Sequence, residues 1–497
     1  MSLTLTTQDQ AILRTAAYGA VSLLAADAAG SPHKTATAGS LALWSATGPI
    51  GHVLAAKTKV VNLDGKSAAA IADHVLPALT EAMTLLTRQE PAEARNFRDT
   101  VLVAVDAAAQ AGKGAPGPVM TEMIRKITAA LDAAPAAQDR PEVQEAIQAF
   151  VDAGFAGVQV RVNDERGEWT GSAGVRKLGE AAKPSTEGHF RIGSATKTFT
   201  ATLVLQLVAD GTIGLDAPVD DYLPGYGLDR RITVRMLLQH TSGVFNFTGE
   251  YYEDGTFAPG IPGLGKEWVE ENESRTYRPE ELVRLALSKP ARFEPGTGWS
   301  YANTNYVLAR LLIEKVTGRS YGEQLRLRIA GPLGLSGTVV PEDSPEIPEP
   351  HAHGYYRYQD GEEWKTADTT RFNPTWISAA GDMISTTRDL QAFMSALLGG
   401  KLLPADLLAE MRKPDLTIGY GLGVFVEDIG DGVTLIHHNG NFWGWAALMY
   451  GTPDGSKTLI ASVTTGEAEF DLPALGAAFE QAKQKLVQTV FGEKPAN

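Results

Sequence analysis

The chain has 497 residues, too many for one ordinary hydrophobic core, so two or three domains are expected. Its 44 basic and 59 acidic residues leave a net charge of −15, which argues against nucleic acid or an anionic membrane as the main partner. There is no cysteine, which excludes disulfides, thiolate metal sites and cysteine nucleophiles.

The first ten residues, MSLTLTTQDQ, have no basic segment leading into an apolar one. No signal peptide is visible, and a cytoplasmic location is the expectation. Ala16–Ala29 is too short to span a bilayer, and Ala38–Ala56 is interrupted by Gly48-Pro49-Ile50-Gly51 and His52, so no membrane span is expected. Residues 1–135 are alanine-rich with helical spacing. Thr6 or Thr7 caps a first helix through Ala26, and further helices fit Ala36–Lys57, Ser67–Thr87, Pro91–Ala111 and Val119–Ala133. Breakers at Gly30-Ser31-Pro32, Asp64-Gly65 and 112–117 separate them. The result reads as a separate all-α domain without a chemical motif, and its small-residue helices suit partner binding or self-association. Gly65-Lys66-Ser67 resembles the tail of a phosphate loop, but Val60 stands where that loop needs glycine, so it is rejected.

Residues 136–141 read as a linker into a second domain, 142–497. A helix over Glu142–Ala153 precedes two alternating segments, Val158–Val162 and Trp169–Val175, joined by a turn at 163–167. The middle, to about residue 410, is mostly helical and looped, with a Gly/Glu-rich excursion at Gly249–Ser274. Strands return at Gly419–Val426, Val433–His438, Trp445–Gly451 and Leu459–Thr464, and an amphipathic helix, Leu472–Val490, ends the pattern. Strands at both ends around a helical middle predict an α+β fold: one antiparallel sheet flanked by helices, with a mostly helical insertion.

The stretch that carries chemistry is Phe190–Leu215. An apolar strand end meets Gly193, and Ser194 opens a helix whose apolar side is Leu203, Val204, Leu207 and Val208. Serine there would ordinarily be a cap. Lys197, one turn on, shares its helix face, so the amine can reach the Ser194 hydroxyl and activate it. A Ser-x-x-Lys match alone is weak, and Ser31-Pro32-His33-Lys34 is a second one in an unsupported loop. The Ser194 copy is followed, in order, by Tyr301-Ala302-Asn303 and by His438-Asn439-Gly440. Lys177-Leu178-Gly179 precedes the serine, which is the wrong order.

With those three motifs, residues 141–492 resemble the serine β-lactamase and penicillin-recognising DD-peptidase superfamily, on the branch of class C enzymes and D-alanyl-D-alanine carboxypeptidases that also holds esterases and D-aminopeptidases. Met236–Gly243 (MLLQHTSG) and Ala380–Leu390 (AGDMISTTRDL) are similar to the same branch. The resemblance implies a β-lactamase/transpeptidase-like fold, with Ser194 as acylated nucleophile, Lys197 as its partner and Tyr301 as proton shuttle. A phenol acting as a base needs cations nearby, which Lys197 and a protonated His438 would supply. Asn303, His438, Asn439 and Gly440 would bind substrate, and the backbone N–H groups of Ser194 and Asn441 would form the oxyanion hole. No cofactor or metal is implied. Histidine in place of lysine at 438 leans away from a dedicated β-lactamase, and Asn439 replaces a hydroxyl that could hold a substrate carboxylate.

The expected function is a serine acyl-enzyme hydrolase of small peptides, amides or esters, resembling a D-alanyl-D-alanine carboxypeptidase. A carboxylesterase or D-aminopeptidase is the alternative within the class, and a catalytically idle binding protein is the alternative outside it. Two other patterns are read as structural. Gly318-Arg319-Ser320-Tyr321-Gly322 follows a helix rather than a strand, so Gly318 ends that helix and Ser320 caps the next. His351 and His353 and the pair His437-His438 lack the third ligand at fixed spacing that a metal site needs, and the acidic Glu267, Glu270, Glu271 and Glu273 read as a solvated loop face.

Overall fold

The computed structural model describes residues 5, 7–26, 31–56, 68–89, 91–111, 117–132, 140–252, 254–261, 266, 268–269, 275–415, 418–430, 432–466 and 472–492. The Gly65-Lys66-Ser67 stretch, the breakers at Gly30, at Asp64-Gly65 and at 112–116, linker residues 136–139, and Glu267, Glu270, Glu271 and Glu273 lie outside the described residues. The chain divides into two compact units, Met1–Gln138 and Asp139–Asn497.

The first unit contains helices α1 (Thr7–Ala26), α2 (Pro32–Trp44), α3 (Gly48–Ala55), α4 (Ala68–Gln89), α5 (Pro91–Gln110) and α6 (Pro118–Asp132). The single helix expected over Ala36–Lys57 is two. Pro49 cannot continue a preceding helix, since it lacks an N–H and its ring clashes with the turn before it, but it suits the first turn of a new one. Leu13, Ala16, Ala20 and Leu24 of α1 share a core with Val75 and Leu79 of α4 and Phe97 and Val101 of α5. Small residues allow the close approach: a Cβ on Gly39 would lie 2.6 Å from a Val21 methyl.

The second unit begins with Arg140, whose buried guanidinium donates to both carboxylate oxygens of Asp164 at 2.7 and 2.8 Å. Helix α7 (Pro141–Asp152) follows, then the hairpin β1 (Gly157–Asp164) and β2 (Gly167–Gly174). Next come β3 (His189–Arg191), the small hairpins β4 (Glu250–Tyr251) with β5 (Phe257–Ala258) and β6 (Tyr355–Asp360) with β7 (Glu363–Asp368), and β8 (Ile384–Thr386). The closing strands are β9 (Phe425–Asp428), β10 (Thr434–His437), β11 (Gly440–Phe442), β12 (Trp445–Gly451) and β13 (Thr458–Thr464). One antiparallel sheet joins the two ends of the unit in the order β2-β1-β13-β12-β10-β9, with β11 also paired to β12. The helical middle with short hairpins is the insertion between those ends.

Strand alternation gives this sheet two different faces. The cross-strand rows Val158–Val463–Ala446, Val160–Ala461–Leu448 and Val162–Leu459–Tyr450 share a core with α7 and the terminal helix Leu472–Phe491. On the opposite face Ile460, Met449 and Ala447 join the larger core around α8 (Thr196–Ala209) and the helix Thr387–Leu398.

Two placements differ from the sequence expectation and shape the site. Helix α8 is not amphipathic, because Thr196 through Leu205 are all buried. Its threonines satisfy themselves inside the core: Thr200 Oγ1 donates to Thr196 O and Ala379 O, and Thr202 Oγ1 to Thr198 O. The segment Gly419–Val426, expected as a strand, is mostly a glycine-supported fold-back, with Gly419 and Gly423 at positive φ and only its end in β9. A Cβ on Gly423 would lie 2.5 Å from Ala201 Cβ, so only glycine lets this loop lie on α8.

Candidate active site

Three segments converge at the start of α8. Gly193-Ser194-Ala195 forms one 3₁₀ turn ahead of that helix, which puts Lys197 one turn from Ser194. Strand β3 pairs with β8, and Ile192 N–H donates to Met383 O at 3.0 Å, which draws Ala380 to the same place. Asn303 begins the helix Asn303–Thr317 and presents Tyr301 just before it.

Lys197 is completely buried, and its Nζ lies 3.1 Å from Ser194 Oγ, 2.8 Å from Asn303 Oδ1 and 2.7 Å from Ala380 O. Burial pushes its amine well below the ordinary lysine value. Amide and peptide carbonyl oxygens only accept, so a neutral amine spends both N–H groups on Asn303 and Ala380 and turns its lone pair to the Ser194 hydroxyl. Should the amine gain a proton, the faces of Tyr301 and Tyr306 lie 4.7 and 5.5 Å from Nζ and favour the cation.

Tyr301 also hydrogen-bonds Ser194, and burial raises its phenol above the ordinary value. His438 does not provide the positive charge expected of it. Its Nδ1 donates to Asn439 O at 2.8 Å, its Nε2 accepts from the Tyr420 hydroxyl at 3.0 Å, and burial pulls the imidazole down to about 3. The histidine is neutral with both nitrogens engaged, and Tyr301 remains a protonated phenol.

Asn303 holds Lys197 through Oδ1 and donates from Nδ2 to Thr248 Oγ1 at 3.2 Å, while its backbone N–H donates to Asn246 Oδ1 at 3.0 Å. Asn439 is turned away from this cluster. Its Nδ2 donates to the hydroxyl of Tyr450, which packs in the core on the α7 side of the sheet, at 2.7 Å. Gly440 lies tight against the serine turn: a Cβ there would sit 1.9 Å from Ile192 O and 2.7 Å from Ser194 N. A Cβ on Gly193 would likewise lie 2.7 Å from Asn441 N. The backbones of Ser194 and Asn441 are thus adjacent, with the Asn441 side chain exposed.

A cleft of about 560 Å³ opens beside Asn441, walled by Phe442, Trp443, Trp376, Tyr356 and Phe479. Sequence reasoning missed Tyr420, Asn246 and the Ala380 carbonyl as site components. The Gly-Tyr-Gly-Leu-Gly run around Tyr420 was the available signal and reads equally as a strand. Ser320 caps the helix Tyr321–Leu325 in a reciprocal pair with Glu323. His353 Nδ1 lies 2.7 Å from an Asp368 oxygen and His437 Nε2 lies 3.2 Å from a Glu427 oxygen. Among the described residues no three potential metal ligands gather.

The Ser194 hydroxyl, the buried Lys197 amine, the Tyr301 phenol and the adjacent backbones of Ser194 and Asn441 thus gather around one point, as a serine hydrolase requires. The Beta-lactamase family profile matches residues 143–483, and the chain belongs to that family, within the serine β-lactamase and penicillin-binding protein superfamily. A solved D-stereospecific amidohydrolase from Streptomyces sp. is 36% identical over 72% of this chain and 100% of its own, with a TM-score of 0.62. Penicillin-binding protein 4* of Bacillus subtilis (strain 168) is 27% identical over 62% of this chain and 68% of its own length. Esterase EstB of Burkholderia gladioli is 28% identical over 60% and 78%. No helix among the described residues is long and apolar enough to cross a membrane.

Proposed function

We propose that this chain is an amide hydrolase with Ser194 as acylated nucleophile, Lys197 as base and Tyr301 as acid, and that its acyl group is an apolar D-amino acid residue. The observation that carries the reading is the setting of Lys197: its buried Nζ lies 3.1 Å from Ser194 Oγ, burial lowers its affinity for a proton, and with Asn303 and Ala380 accepting its N–H groups the free amine can turn its lone pair to the serine hydroxyl.

Ser194 Oγ attacks the carbonyl carbon as its proton passes to Lys197 Nζ, and the oxyanion collects the N–H groups of Ser194 and Asn441. Collapse expels the leaving nitrogen with a proton from the Tyr301 hydroxyl, which is refilled from the Lys197 ammonium. Water then repeats the sequence on the acyl-serine. It loses a proton to the same base, its oxygen bonds to the acyl carbon, and Ser194 Oγ departs with a proton regained.

Two features support amide over carboxypeptidase specificity. His438 and Asn439, the residues expected to meet a terminal carboxylate, are both engaged elsewhere. The cleft beside Asn441 is walled by aromatic rings and suits an apolar side chain. The likeness to a D-stereospecific amidohydrolase supports the D configuration.

The test compares D-phenylalanine amide, L-phenylalanine amide and a peptide ending in D-Ala-D-Ala, with intact-mass detection of the acyl-enzyme. The D-amide is expected to turn over fastest and Ser194→Ala to form no adduct. An adduct on Ser194→Ala would overturn the nucleophile, and faster release of the terminal D-Ala would restore the carboxypeptidase.

A further inference from the structure

The MLLQHTSG segment does not enter the reaction above, yet its histidine is buried in the site. His240 follows the helix Val234–Gln239 at φ 62°, a left-handed position that glycine or asparagine takes more easily. Its backbone carbonyl accepts the N–H of Ser300 at 3.1 Å, and its ring Nδ1 accepts the N–H of Ala302 at 3.2 Å. Ser300 and Ala302 are the residues on either side of Tyr301. The ring itself lies against Tyr301, with centroids 4.3 Å apart and planes inclined by 34°.

Asn305 fixes which nitrogen of the ring is free to accept. Ser242 Oγ donates to Asn305 Oδ1 at 2.6 Å, so the amide is oriented with Nδ2 toward His240 Nδ1 at 3.2 Å. With two donors aimed at it, Nδ1 carries no proton, and the imidazole is the neutral Nε2–H tautomer. Burial disfavours its protonation as well.

We infer that His240 is the positioning residue for Tyr301, gripping the backbone on both sides of that tyrosine and backing its ring so that the phenol meets the leaving nitrogen. The inference rests on the reading of Tyr301 as proton donor in an amide hydrolase.

That role separates two kinds of substrate. An amine leaving group requires a proton, whereas p-nitrophenolate leaves without one. In His240→Phe the ring is retained but the N–H of Ala302 and Asn305 Nδ2 lose their acceptor. In His240→Asn an oxygen occupies the Nδ1 position and the left-handed backbone is tolerated, but the ring is gone. Wild type, both variants and Tyr301→Phe are assayed on D-phenylalanine amide and p-nitrophenyl acetate, with melting temperatures recorded. The expected result is a fall in kcat on the amide of about 100-fold for His240→Phe and about 10-fold for His240→Asn, with KM unchanged and the rate of the p-nitrophenolate burst, which reports acylation by the ester alone, within about 3-fold, matching the pattern of Tyr301→Phe. Equal losses on amide and ester, a change confined to KM, or no loss in His240→Asn would overturn the inference while leaving Tyr301 in place. Should Tyr301→Phe itself fail to discriminate, or wild type cleave neither substrate, the underlying reading fails and this inference falls with it.

Discussion

The two halves of the site are built in opposite ways. On one side stand Ser194, Lys197, Tyr301 and Asn303, whose side-chain atoms make the contacts. On the other is the run 438–441, which contributes mainly main chain. There His438 is closed off by Tyr420 and its own neighbour, Asn439 points through to the other face, Gly440 has no side chain and Asn441 exposes its own. Residue identity therefore encodes chemistry on the first side and shape on the second. Glycine at 440 matters because of how close Ile192 O and Ser194 N lie, and asparagine at 439 matters to the sheet.

This contrast can be broken by substitution. The largest effect is expected for Lys197→Ala, a loss of about 10⁴-fold in kcat because the serine proton has no acceptor. A loss under about 10-fold, measured with the fold verified by circular dichroism, would transfer the base role elsewhere. Next is Gly440→Ala, in which the new methyl meets two backbone atoms that cannot swing aside. A loss of about 10²–10³-fold is expected from the displaced oxyanion donors. Retention of full activity would mean that β11 can shift without cost.

The pH profile sharpens the same comparison. In the proposed reaction Lys197 acts as the free amine, and burial lowers its affinity for protons, so kcat should fall as pH drops through its lowered value and stay level above it. In the same proposal Tyr301 acts as the protonated phenol, and burial raises its value, so no alkaline limb should appear near the ordinary phenol value of about 10. A bell centred between those limits would show Tyr301 to be solvated. The smallest effect is expected for Asn439→Ala: kcat/KM within about 3-fold, and stability lower by about 1 kcal/mol from the lost hydrogen bond to Tyr450, read from denaturant midpoints. A large kinetic loss with unchanged stability would return Asn439 to the substrate.

Much of the fold was legible from apolar patterning. α7, the hairpin β1–β2 and the terminal helix place apolar residues on the side that packs, β12 and β13, buried on both faces, read as short apolar runs, and the bounds of all of them fall close to the sequence expectation. Legibility failed where polar side chains are buried all round a helix or where the backbone turns without a side-chain pattern. Helix α8 hides polar threonines all round, so an amphipathic stripe was read into it that does not exist. The fold-back at Tyr420 and the hairpin β6–β7, with exposed Trp364 and charged neighbours, carry no such pattern.

Sequence by itself determined the pairing of Ser194 with Lys197, since an offset of three residues on a helix brings two side chains together whatever surrounds them. It also determined the order of the later motifs and the family that order marks. The protonation states were decided only by tertiary structure. Burial in the core around α8 pushes the Lys197 amine well below its ordinary value while Asn303 and Ala380, from distant segments, accept its N–H groups, and burial likewise pulls down His438, whose Nε2 meets the hydroxyl of Tyr420, eighteen positions earlier. Spacing along the chain fixes which groups can meet locally. The desolvation and hydrogen bonds that set their charge come from residues the spacing does not relate.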